Sequence, residues 1–171
     1  MEYLDADLTK IYPANDDSFP LGAIVKNKAG NKTYQFVEYS QGSHAVAGTA
    51  GALIYLVLAG TSTPKPYTVS KDRVSITTLI TTYAMAYGQL MAALTDGTRG
   101  FIQKGGLSDL ACPTDNTVGV GEQIGAADVN GQVKGVAAGI AITPFLGRGV
   151  KTDGGSGNSV AAGGILWEIP Y

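Results

Sequence analysis

Apolar residues in this chain fall into short runs separated by turn signals, a rhythm clearest between Asp96 and Ile142. There the chain reads Asp96-Gly97-Thr98-Arg99-Gly100-Phe101-Ile102-Gln103-Lys104-Gly105-Gly106, then Val118-Gly119-Val120-Gly121-Glu122-Gln123-Ile124-Gly125, then Gly139-Ile140-Ala141-Ile142. Runs of this length, closed by glycines or an Asp-Gly step, predict strands. Upstream, Ala23-Ile24-Val25 and Thr33 to Tyr39 flank a Gly30-Asn31 step and predict a β-hairpin with a longer loop. In its second run Tyr34 and Phe36 share a face, with Gln35 opposite. Ala52 to Leu58 predicts a buried strand; Pro64-Lys65-Pro66 breaks the chain, and Tyr67-Thr68-Val69 resumes it. Further strands are expected at Leu107 to Ala111, Glu122 to Ile124, Gly135 to Ala137, Gly139 to Ile142 and Val160 to Trp167.

The stretch from Val74 to Leu94 carries two patterns. The β-branched cluster Val74, Ile76, Thr77, Thr78 and Ile80 predicts a strand over 74–80. Tyr83, Tyr87, Leu90, Met91 and Leu94 stand at helical spacing among alanines. Gly88 and the Asp96-Gly97 turn tip residues 87–94 toward a strand, paired with Gly100 to Lys104 across Thr95 to Thr98. Pro113 to Thr117 and Gly147 to Asn158 read as loops, the latter a flexible surface loop rich in Gly, Ser and Asp.

Residues 1–20 differ from the rest. They hold Glu2, Asp5, Asp7, Asp16 and Asp17 of the chain's 14 acids, with Pro13 and Pro20 to keep them out of a sheet centre. They read as a loose terminus or as an extended N-terminal arm, whose Tyr3, Leu4, Ile11, Tyr12 and Phe19 seat in a partner. In the second case residues 1–20 serve binding or self-association more than the fold. Residues 21–171 form the β-rich domain.

Composition sharpens this picture. The 171 residues fit one domain, with no disulfide needed and none available to the single Cys112. Charged residues make up 15%, against about 25% in ordinary domains, and Gly 24 is about twice the usual share. Such a neutral, turn-rich surface suits a protein packed against other proteins. A net charge of -2 argues against a nucleic-acid partner. The uncharged stretches Ala45 to Gly60 and Val74 to Leu94 are too short or too rich in Thr, Ser and Gln for a membrane span, so no membrane partner is expected.

Candidate chemistry is sparse. His44 is the only histidine and reads as a solvated loop side chain; as a general base it needs a nucleophile and an orienting carboxylate. Cys112 has no redox or zinc-ligating partner in the sequence and reads as a small buried residue. Gly119 to Gly125 has one residue too many for a dinucleotide fingerprint and lacks the strand–turn–helix context. Asp109, Asp115, Glu122, Asp128 and Asp153 read as turn carboxylates. No catalytic, metal or cofactor site is expected.

Four segments, in this order and spacing, resemble the small glycine-rich β-domain head-decoration proteins of tailed bacteriophages, the capsid-cementing class. They are Leu21-Gly22 through Val25 leading into Gly30 to Val37; Gly100 to Gly106; Val118 to Gly125; and Val136 to Ala141 followed by Ser159 to Leu166. Phe101 stands where members usually carry Tyr or Trp, and Ser75 to Met85 and Gly147 to Asn158 have no counterpart. The resemblance implies an all-β, compact barrel-like or sandwich-like single domain with an extended N-terminal arm. It implies a structural virion protein on the outer capsid surface that bridges subunits of the major capsid protein, with a homotrimer favoured and no cofactor. The arm residues Tyr3, Leu4, Ile11, Tyr12 and Phe19 then become candidate capsid or self-association contacts. A receptor- or glycan-binding knob of a phage virion is the alternative from another functional class; an enzyme is not expected.

Overall fold

The computed structural model describes residues 6–42, 44–57, 67–72, 86–127, 129–137, 146–154 and 159–169. Regular structure among them is entirely β. The strands are β1 (Ile24–Lys26), β2 (Thr33–Tyr39), β3 (Leu53–Leu56), β4 (Thr68–Ser70), β5 (Ala86–Leu90), β6 (Arg99–Leu107), β7 (Cys112–Pro113), β8 (Thr117–Val118), β9 (Gln123–Ala126), β10 (Val133–Val136), β11 (Gly147–Gly149), β12 (Asp153–Gly154), β13 (Ser159–Val160) and β14 (Ile165–Glu168).

Five of them close into a small barrel in the order β2-β4-β3-β5-β6, with β6 returning to β2. Its pairs are antiparallel except β2 with β4. Closure removes sheet edges that would otherwise present unpaired amides. β6 is the longest strand, with 9 residues, and it serves two sheets. Gln103 and Ile102 pair with β5, and Gly105 to Leu107 pair with β14. From β14 the sheet continues through β11 and β9 to β10. Gly106 makes this transition feasible: its φ is +86°, and a Cβ there would lie 2.2 Å from the Asn31 carbonyl oxygen.

The barrel wall is covered on both faces. Val37, Tyr39, Ile54, Val69, Leu90 and Ile102 fill the lumen. Leu53 and Tyr55, which alternate with Ile54, face outward into a second core with Cys112, Ile124, Val160, Ile165 and Trp167. Buried Gln89 ties that core together: its Nε2 donates to the carbonyls of Gly51 and Leu110, and its Oε1 accepts from Trp167 Nε1. On the remaining side Tyr34 and Phe36 of β2 and Phe101 of β6 point outward and meet the arm.

The arm is extended and lies across this outer face. Tyr12 exchanges two backbone hydrogen bonds with Arg99, at 2.9 and 2.8 Å. Arg99 also donates to the carbonyl of Asp16 at 2.9 Å and pairs with Glu38 across the strands. Tyr12 is 3% exposed, edge-on to Phe36 at 5.2 Å and to Phe101 at 6.3 Å, and Phe19 stacks beside all three rings. Each buried large side chain is worth about 1.5–3 kcal/mol, and each aromatic pair about 0.5–1.5 kcal/mol more. Residues 6–20 therefore stabilise the fold itself, alongside any part in binding.

Several sequence expectations hold. The hairpin of β1 and β2 is closed by Asn27, whose backbone and side-chain oxygens accept from Gly30 and Lys32. Residues 86–90 form a strand, not a helix, because β3 and β6 pair with both its edges. Gly88 permits that approach: a Cβ there would sit 2.9 Å from the Gln103 carbonyl oxygen. Others are revised. The expected strand at 107–111 is only the end of β6, after which Ser108 turns the chain toward β14. The expected strand at 160–167 is broken by a turn into β13 and β14, and the expected loop at 113–117 is bounded by two short strands, β7 and β8, that take its end residues. Residues 147–149 and 153–154, read as loop, pair with β9, β14 and β8 because long-range partners satisfy their backbone. The strands expected at 74–80 and 139–142 lie outside the described residues.

Truncating Tyr12 should expose the Phe36–Phe101 face. Tyr12→Ala is expected to cost about 3 kcal/mol in chemical denaturation, on the scale of other buried aromatic truncations. Ile11→Ala, at an exposed neighbour, should stay within about 0.5 kcal/mol. Equal effects at the two positions would contradict the packing of the arm.

Candidate functional site: the arm-flanked edge of the barrel

The three described candidate contacts of the arm, Ile11, Tyr12 and Phe19, do not form one surface. Tyr12 is part of the chain's own core and Phe19 is half-buried against it, so neither is free to seat in a partner. Ile11 points outward at 48% exposure. Tyr3 and Leu4 lie outside the described residues.

A surface that sequence reasoning did not single out lies beside the arm. A cleft of about 190 Å³ opens between Ala6 and Leu8 of the arm and Val25, Lys26, Asn27, Lys28 and Tyr34 of the first hairpin. Its floor is apolar and its rim is basic, with Lys26 and Lys28 both exposed. Ile24, 40% exposed, stands on the same strand. The alternation of β1 could have indicated this surface: Ile24 and Lys26 face out while Val25 faces in.

Asp109 fastens the hairpin end. It accepts from Lys32 Nζ and from the Tyr34 hydroxyl, while its own amide donates to Gln103 Oε1 at 2.9 Å. Burial, followed by this hydrogen bond, raises the Tyr34 phenol above its ordinary range. Neither Lys32 nor Asp109 has a counterpart nearby in sequence, so only the fold reveals the pair.

Other chemistry-bearing residues are engaged in holding loops. The His44 ring is exposed, but its Nδ1 lies 2.9 Å from Oδ2 of the fully buried Asp72, which also accepts from the His44 amide. The reading of His44 as simply solvated is thereby corrected: it has the orienting carboxylate that a general base requires. A nucleophile beside it is a separate requirement, and Ser43 lies outside the described residues. The pair instead ties the loop after β2 to the end of β4. Glu122 Oε2 accepts from the Gly119 amide at 2.7 Å, which makes Gly119 to Glu122 a closed turn between β8 and β9. Cys112 is fully buried, and burial pushes its thiol up, away from the reactive thiolate. Asp115 is half-buried; Asp128 and the Asp153 side chain are not described.

Comparison with protein-family models, with curated proteins and with solved structures gave no match. The chain's own residues and geometry therefore carry the functional reading. No helix among the described residues is long and apolar enough to cross a membrane.

One buried cation stands apart from these surface features. Lys104 is 1% exposed, with its Nζ 3.9 Å from the centre of the Tyr87 ring. Burial lowers its pKa from 10.5 to about 8. The unfolded chain thus binds more protons than the folded chain between those values, so stability should rise with pH from about 8 to 10.5. Lys104→Met, which removes the titrating amine, is expected to abolish the alkaline rise. Denaturant titrations at pH 7 and pH 10 would check this; a folded variant whose stability still rises over that range contradicts the assignment.

Proposed function

We propose that this protein is a structural virion protein that binds the outer surface of a tailed-phage capsid. In this reading it joins neighbouring subunits of the major capsid protein and acts as a homotrimer at local three-fold positions. The arm-flanked edge carries the proposal: a strand edge, exposed aliphatic side chains and a basic rim together suit contact with another protein. The resemblance of the glycine-bracketed segments to head-decoration proteins supports the same conclusion. Histidine, cysteine and carboxylate groups engaged in core and loop positions add to it, because cementing a shell needs buried interface rather than reaction chemistry.

A receptor- or glycan-binding knob fits less well. Sugar sites commonly offer aromatic faces, whereas the large exposed apolar side chains among the described residues are aliphatic: Ile11, Ile24, Leu107, Val120, Val129 and Val150. The aromatic cluster of Tyr12, Phe36 and Phe101 is turned into the chain's own core.

Binding that favours the assembled shell should raise its stability by mass action. Particles of the encoding phage stripped of this protein are expected to release DNA at a lower temperature, and adding back the folded protein should restore the original value. Cryo-electron microscopy of the restored particles should place it on the outer surface at three-fold positions. Folded protein that leaves particles unbound yet adheres to host cells would overturn the capsid reading in favour of the knob.

A further inference from the structure

We infer that the outer edge of β1 is the coat-binding element, and that it takes up an extended, carboxylate-bearing segment of the major capsid protein as an added strand. The inference rests on the capsid reading above and gives it a specific mode of contact.

The hydrogen-bond register of the hairpin supplies the first reason. Phe36 donates to the Ala23 carbonyl and Asn27 donates to the Lys32 carbonyl, with Val25 opposite Tyr34 between them. In an antiparallel ladder bonded residues alternate, so Ala23, Val25 and Asn27 face β2. Ile24 and Lys26 therefore turn their amides and carbonyls to the other side. β1 is a terminal strand of the ten-stranded sheet, and no described strand lies beyond it.

The opposite end of the sheet shows what a closed edge looks like in this chain. β10 is the other terminal strand, and the chain covers it itself. Thr114 bridges to Val133, Asp115 donates to the Val133 carbonyl, and the Asn116 side chain both donates to and accepts from Gly135. β1 has no equivalent cover among the described residues.

Charge selects the occupant. From Ile24 to Tyr34 the chain carries Lys26, Lys28 and Lys32 and no acid, within a protein of net charge -2. Lys32 is neutralised by Asp109, whereas exposed Lys26 and Lys28 line the cleft beside the edge. A second copy adding through the same strand would bring these lysines together, and edge lysines oppose such self-pairing. A strand with a carboxylate meets both ammonium groups, while an apolar side chain on it meets Val25, Leu8 and the Tyr34 ring in the cleft.

The test uses full-length protein and stripped phage particles. Ile24→Pro removes an outward amide without touching the β1–β2 ladder, so its melting temperature should match the parent while particle affinity falls about tenfold or more, the scale of one or two lost hydrogen bonds. The double variant Lys26→Glu, Lys28→Glu should bind at least as weakly and lose the salt dependence of the parent. A photo-crosslinking residue in place of Ile24 should join the protein to the coat subunit, which keeps the inference testable if the proline variant misfolds. Parent-like binding by either variant when folded, or crosslinking to a second copy instead of the coat, overturns the inference while leaving the capsid reading intact. Absence of binding by the parent overturns both.

Discussion

The pairing of β2 with β6 is the constraint on which the rest of the structure depends. It closes the barrel, and its register sets Phe36 directly opposite Phe101. The same ladder aims Val37 and Ile102 into the lumen, so two faces of one pair of strands must both be buried. The lumen is filled by the other barrel strands. Among the described residues the outer face has no strand or helix of its own to cover it, and the arm covers it instead. Arg99 couples the two events, since it belongs to β6, pairs with Glu38 of β2 and holds Tyr12 and Asp16 of the arm.

Covering this face with an arm rather than a strand has a consequence for interaction. A strand laid beside β1 would have closed the sheet, as the segment around Thr114 to Asn116 closes β10. The described part of the arm instead crosses the outer face to the side of the hairpin, where Ala6 and Leu8 border the cleft. Among the described residues, core formation on one side of β2 thus leaves the neighbouring edge of β1 without a covering strand. Stability and the proposed binding surface arise from the same packing choice.

The polar residues follow a similar logic. Asp109, Asp72, Glu122 and Gln89 each accept a hydrogen bond from a donor that would otherwise go unsatisfied. Lys104 is a buried cation in the closed wall of the barrel, with its ammonium over the ring of Tyr87.

Much of the class and local structure was legible in the sequence. Glycine punctuation, the alternation of Tyr34 and Phe36, and the turns at Gly30-Asn31 and Asp96-Gly97 follow from backbone sterics and a two-residue period, which act within a few positions. They determined the all-β class, the first hairpin and the strands around residues 53–56 and 99–107. Which surfaces meet is a different matter. The burial of the arm's Tyr12 against β2 and β6, the strand pairing of residues 147–149, and the contacts of Asp109 with Lys32 and of Asp72 with His44 join positions remote in sequence. So does the closure of β10, against a β1 that has no covering strand among the described residues. Only the tertiary structure decided these, because they depend on which apolar faces and unpaired amides come together once the barrel has closed, and no local preference encodes that.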